Sequence, residues 1–164
     1  MIRKEYGENE IEVRASSKDS ESPEPNVIIE HNDQKDEFWT ENIPNSWVLI
    51  DLGERKANVS HYSLETYEAY PGQSHLKSWV LEGSNDGEEW TEMDKEDDRE
   101  ELNGLKKSAT FQCSRSGLFS LIRLRITWLP HHGENVLVIK NVEIFGSLTL
   151  LPIELWINEK ETIY

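Results

Sequence analysis

Between Phe119 and Trp128 the chain reads FSLIRLRITW, and this alternation constrains the fold more than any other stretch. Ile122, Leu124, Ile126 and Trp128 fall on one side of an extended chain; Arg123, Arg125 and Thr127 fall on the other. A period of two marks a strand with one buried face, whereas a helix repeats its apolar stripe every three to four residues. The neighbouring segments share this texture. NVIIEH (26–31), SWVLIDLG (46–53), VSHYSLETY (59–67), LKSWVLEGS (76–84), SATFQC (108–113) and VLVIKNVEIFGSL (136–148) are short and separated by Gly, Pro, Asn and Asp. They are rich in the β-branched and aromatic residues that fit a pleated surface. Asn85-Asp86-Gly87 supplies residues that tolerate positive φ, and it predicts a tight turn between two strands. No helical period interrupts the series. The expectation is an all-β, antiparallel sandwich or barrel.

One strand carries more detail. Val48, Ile50 and Leu52 form one face of SWVLIDLG, and Trp47, Leu49 and Asp51 form the other. Both faces are largely apolar, which predicts a place inside a sheet with cover on each side. Asp51 then needs a hydrogen-bond partner, and a backbone amide of the following turn is the nearest one.

At 164 residues the chain has the size of a single domain. Residues 1–25 are polar, acidic and Ser/Pro-rich, and are expected to form a flexible acidic linker. The sandwich is expected over 26–148, and 149–164 as an apolar C-terminal extension. That extension reads as an added strand or as an anchor to a partner. Asp86–Glu101 holds ten acidic and two basic residues and reads as a solvated loop.

Charge and composition remove several function classes. Seventeen Lys and Arg against 32 Asp and Glu leave a net charge of −15. A general nucleic-acid binder needs a basic footprint, and docking by charge on an anionic leaflet needs the same. One cysteine, Cys113, leaves no internal disulfide and no multi-cysteine zinc site. No apolar run approaches a membrane span, and the opening MIRKEYGENEIEVRA lacks the apolar core of a secretory signal. The expected setting is cytoplasmic and reducing. Asn58-Val59-Ser60 is a glycosylation sequon that matters only in a secreted chain.

Nothing in the sequence selects catalytic machinery. No nucleophile, base and orienting acid are marked out as a set, and the abundant carboxylates do not single out a pair. Cys113 sits in an expected strand and reads as a buried, inert thiol. His131 and His132 are adjacent, so on an extended chain they point apart and do not fit a usual zinc pattern. The chain is not expected to be an enzyme.

Four pieces in order carry a family resemblance: FWTENIPNSWVLIDLG, HYSLETY, LKSWVLEGSNDGEEW, and LFSLIRLRITW followed by VLVIKNVEIFGSL. Together they resemble the discoidin family, also called the coagulation factor 5/8 type C domain, over about Asn26 to Leu148. The resemblance implies a jelly-roll β-sandwich of the galactose-binding-like type with about eight core strands. The bracketing cysteine pair of extracellular relatives is missing. The wording looks most similar to discoidin domains beside BTB or kelch modules in unicellular eukaryotes.

The resemblance also implies a binding site in three loops at one end of the sandwich: Glu30 to Thr40, Glu68 to His75, and Leu129 to Asn135. These offer His31, Trp39, Tyr70, His75, His131 and His132. Aromatic rings give flat apolar contact, and imidazoles give donors and acceptors. Many relatives hold a structural calcium at the first loop. Here Glu143 stands in the late ligand position, but Asn32, Asp33 and Gln34 replace Asp-Gly-Asp and Glu37 replaces Thr. Fewer hard anionic ligands in register weaken calcium binding, and no cofactor is expected. The implied function is a non-catalytic binding module: an intracellular adaptor that contacts a protein partner within a larger assembly. The alternative is a carbohydrate-binding module of a secreted or cell-surface protein. A third reading is the accessory domain of a hydrolase.

Overall fold

The computed structural model of the chain describes residues 11–30 and 37–150. Within them lie eleven strands, numbered in chain order. These are β1 (Glu12–Ala15), β2 (Phe38–Trp39), β3 (Trp47–Asp51), β4 (Arg55–Glu65), β5 (Trp79–Ser84), β6 (Thr91–Glu96), β7 (Ser108–Gln112), β8 (Leu118–Phe119), β9 (Leu121–Ile126), β10 (Val138–Ile139) and β11 (Asn141–Leu150). One sheet runs β1-β3-β9-β5-β6; the facing sheet runs β11-β4-β7, with β8 also on β4 and a β2–β10 pair beside them. The pairs are antiparallel throughout. Of the sandwich and the barrel that the strand pattern allows, this is the sandwich, as the family resemblance implies.

The core fills the space between the sheets. Ile122, Leu124 and Ile126 of β9, Val48 and Ile50 of β3, and Trp79 and Leu81 of β5 meet Ala57, Val59, Tyr62 and Leu64 of β4. β3 is covered on both faces as expected, with Val48, Leu49 and Ile50 all buried. Asp51 finds the expected amide: its Oδ1 accepts from the Gly53 N–H at 2.9 Å. Its Oδ2 also takes the Arg14 guanidinium at 2.5 Å.

A buried polar chain crosses the core. Trp79 Nε1–H donates to Tyr62 Oη at 2.9 Å, and Tyr62 O–H donates to Asp94 Oδ2 at 2.8 Å. Burial first, then the neighbouring carboxylates, pushes the Tyr62 hydroxyl far above its usual range. On the outer face of the first sheet, Arg123 and Arg125 share the Glu82 carboxylate at 2.8 and 2.6 Å. Burial works to raise the Glu82 pKa, but the two guanidinium groups outweigh it and the net shift is downward. The Arg123 guanidinium also lies 3.7 Å from the Trp90 ring.

Four expectations change. Residues 12–15 are a strand, not linker: Val13 pairs with Ile50 and is buried, and Glu12 and Arg14 face out. Ser16, Asp19 and Ser22 continue the attachment through bonds to Trp47 and Trp39. NVII does not form a strand; Pro25–Ile28 is a 3-10 turn that Pro25 opens and that buries Ile28. The acidic run is not all loop, because Thr91–Glu96 is the edge strand β6 with Met93 turned inward. Trp128 is not on the core face, since the ladder ends at Ile126 and leaves it 70% exposed. At the C-terminus, β11 extends to Leu150 opposite Arg55; the rest of the expected extension, 151–164, lies outside the described residues.

Candidate binding site at the loop end of the sandwich

Strand register decides which loops meet. β3 begins at Trp47 opposite Arg125, β5 begins at Trp79 opposite Ile126, and β6 ends at Glu96 opposite Trp79. Loops 40–46, 66–78, 97–107 and 127–137 therefore share one end. They are tied to each other by backbone. Ile126 N–H donates to Ser46 O at 3.0 Å, Thr127 N–H to Ser78 O at 3.1 Å, and His131 N–H to His75 O at 3.2 Å. Asn135 N–H donates to Asn42 Oδ1 at 2.9 Å, and Asp98 N–H to Ser78 Oγ at 2.9 Å. Loops fixed this way lose little further entropy when they bind.

Among the described residues, most large apolar side chains that reach solvent do so here. Ile43, Tyr70, Leu105, Trp128 and Leu129 are exposed at this end, against Leu118 at the other. Trp128 stands at the junction of two clefts. One, of about 270 Å³, is lined by Pro44, Asn45, Ile126, Thr127, Trp128, Leu129 and Asn135. The second, of about 410 Å³, is lined by Ser78, Lys95, Asp97, Asp98, Thr127 and Trp128.

The expected site residues separate into surface groups and struts. Tyr70 and His132 are exposed. His75 is wholly buried; its Nε2 lies 3.2 Å from Ala69 O and 3.1 Å from Tyr70 O, so the ring braces its own loop. That placement assigns the proton to Nε2 and leaves Nδ1 buried without a hydrogen-bond partner among the described residues. Burial, with His131 nearby, lowers the His75 pKa. The His131 side chain is 8% exposed, with Nε2 3.1 Å from Arg99 O, and it joins loops 127–137 and 97–107. Trp39 is half-buried in β2, opposite Val138. His31 lies outside the described residues, as do Asn32, Asp33 and Gln34 of the calcium comparison. Among the described residues no three His, Cys, Asp or Glu side chains gather as metal ligands would. Trp128 escaped the sequence reading because it continues the inward phase of β9; the Pro130 just beyond it is the signal that the strand is ending.

The sequence model of the F5/8 type C domain matches residues 12–136. The chain belongs to the F5/8 type C domain family. Its members are non-catalytic binding modules. No curated protein sequence matches this F5/8 type C domain. Among solved structures, the C-terminal domain of a Bacteroides fragilis chitobiase is similar at a TM-score of 0.68 and 13% identity, over 86% of this chain and 96% of that one. The family 32 CBM of Clostridium perfringens NanJ, solved in complex with galactose, gives 0.64 and 15% over 82% and 93%. CpGH89CBM32-5 from the same organism, solved with GalNAc-β-1,3-galactose, gives 0.66 and 14% over 84% and 96%. At these identities the likeness is one of fold. No described helix is long and apolar enough to cross a membrane.

Proposed function

We propose that this F5/8 type C domain is a carbohydrate-binding module that holds a neutral sugar against Trp128 at its loop end. The observation that carries the reading is the 70% exposed indole, which lines one cleft with Asn45 and Asn135. An exposed indole offers a flat apolar face to the C–H side of a pyranose, and side-chain amides donate to and accept from its hydroxyls. Bound galactose and GalNAc-β-1,3-galactose in the two structures of like fold support this reading. The test is a glycan array followed by fluorescence titration. Wild type is expected to retain neutral glycans, and Trp128→Ala to lose them with its melting temperature unchanged. Unaltered binding by that variant removes Trp128 from the site.

A second reading has its own observation. Five exposed apolar side chains at one end are more than a single sugar ring covers, and a protein partner would bury them. This is the intracellular adaptor role, with Tyr70, Trp128 and Leu129 as anchors and His132 at the rim. Affinity capture with wild type beside Tyr70→Ala/Trp128→Ala separates the readings: a protein set lost in the variant, with no glycan bound, favours the adaptor.

A further inference from the structure

The second cleft beside Trp128 has the placement of a continuation of the first, and the inference drawn from it rests on the sugar reading above. We propose that the ligand is a chain of at least two sugar units, free of acidic groups, that crosses Trp128 from the Asn45–Asn135 cleft into the cleft of Ser78, Lys95, Asp97 and Asp98. The strand order accounts for the path. Pro44 and Asn45 lead into β3, Trp128 leaves β9, Ser78 leads into β5, and Lys95 and Asp97 mark the end of β6. These four strands are consecutive in the sheet, so the two clefts span three interstrand steps, about 14 Å in all. Trp128 borders both clefts, and one indole thus serves two neighbouring rings.

The far cleft is fixed in its backbone, and its acidic side chains reach solvent. Asp98 N–H is held by Ser78 Oγ at 2.9 Å, Arg99 N–H by Lys77 O at 2.8 Å, and Thr127 N–H by Ser78 O at 3.1 Å. Above that floor the Asp97 and Asp98 side chains are 62% and 81% exposed. Each is held by a lysine, Lys95 at 2.9 Å and Lys77 at 2.8 Å. Exposed ion pairs of this kind are weak, so hydroxyls of a second sugar can enter between the partners without a large loss. The cleft presents both ammonium donors and carboxylate acceptors, the set that a polyhydroxylated ring uses. Its surroundings select on charge. At this end of β6, Glu96, Asp97, Asp98, Glu100 and Glu101 outnumber Lys77, Lys95 and Arg99, which leaves a modest negative field on this side. At physiological salt that field reaches roughly 8 Å, so sulfated or carboxylated sugars are disfavoured in the far cleft.

The test uses the full chain on an array of matched mono-, di- and trisaccharides, in neutral, sulfated and sialylated forms, followed by calorimetry with the best neutral series. The expected result is at least about a tenfold gain in affinity from one unit to two. In Asp97→Ala/Asp98→Asn that ratio is expected to fall to within about twofold, and the penalty against sulfated chains to shrink. The asparagine retains the tolerance for the positive φ of 53° at residue 98. Equal affinity for one and two units overturns the two-cleft inference and leaves the sugar reading standing, whereas a preference for acidic chains overturns the inference together with the neutral ligand of that reading. Retention of no glycan by the wild type overturns both.

Discussion

Replacing Tyr62 by Phe removes one oxygen from the centre of the sandwich. Tyr62 is fully buried, and its hydroxyl both accepts from Trp79 Nε1–H and donates to Asp94. The ring itself stays: Phe keeps the stacking on Phe111, whose centroid is 5.4 Å away, and leaves no cavity larger than the hydroxyl. The loss is then electrostatic. Trp79, at 0% exposure, is left with an N–H facing no acceptor, and Asp94, at 5%, loses a donor to its carboxylate. Each stranded buried group costs about 1–3 kcal/mol, so the substitution is expected to cost about 3 kcal/mol. For a domain of this size, 1 kcal/mol moves the melting temperature by about 2–4 °C, giving a fall of roughly 6–12 °C. Urea unfolding followed by tryptophan fluorescence reads the free energy directly, and an unchanged m-value verifies that the folded state is intact. Adding Asp94→Leu to Tyr62→Phe removes the stranded carboxylate and is expected to recover part of the loss. A cost below about 1 kcal/mol for Tyr62→Phe, or a double variant that is simply the sum of two losses, refutes the argument that the chain of bonds acts as a unit.

Other perturbations read other parts of the molecule. Gly146→Ala should destabilise by about 2–3 kcal/mol in the same urea assay, because a Cβ there would lie 2.0 Å from the Asn58 carbonyl oxygen. His75 has a lowered pKa, so the unfolded chain takes up its proton first. Its contribution is complete above about pH 6.5 and is lost as the pH falls from there through the folded-state value, and His75→Gln should flatten that slope in thermal melts between pH 7 and 5. Burial, aided by Asp94, pushes the Cys113 thiol from 9.0 up to about 11. Iodoacetamide at pH 8 should therefore modify the native protein about a hundredfold more slowly than the urea-unfolded chain.

The legible elements were those whose side chains alternate over several residues. β9 and β4 declared themselves, although β4 changes phase at Ser60, an extra residue opposite the Phe145/Gly146 step. β1 did not, because only Val13 and Ala15 face inward and its ladder partner is β3, with Glu12 opposite Asp51 and Ala15 opposite Val48, far along the sequence. β6 was masked by its charges for a physical reason: an edge strand keeps a solvated side, and Met93 is its one buried apolar residue. Site residues were harder. Tyr70 and His132 fall in loops that the sequence marks and that lie exposed at this end, but the histidine content alone does not tell a strut from a surface group. That difference lies in the carbonyls of Ala69, Tyr70 and Arg99, which loop closure brings to His75 and His131. Trp128 was misassigned because side-chain phase continues beyond the last ladder bond.

The acidic edge has a consequence for the protein in company. An outer strand offers unpaired amides and carbonyls to any other chain that can lie beside it. On β6 two features oppose this: the Met93 carbonyl is already taken by Arg115 N–H at 2.9 Å and by Ser114 Oγ at 3.0 Å, and Glu92 and Glu96 lie along the strand with Glu88, Glu89 and Asp97 flanking it. Two molecules approaching through this edge bring like charges together. The repulsion fades as carboxylates take up protons, and the net charge reaches zero near pH 4.7. Solutions of this domain should stay dispersed at neutral pH, then cloud on acidification while the sandwich is still folded, with growth beginning from the rim of its larger sheet.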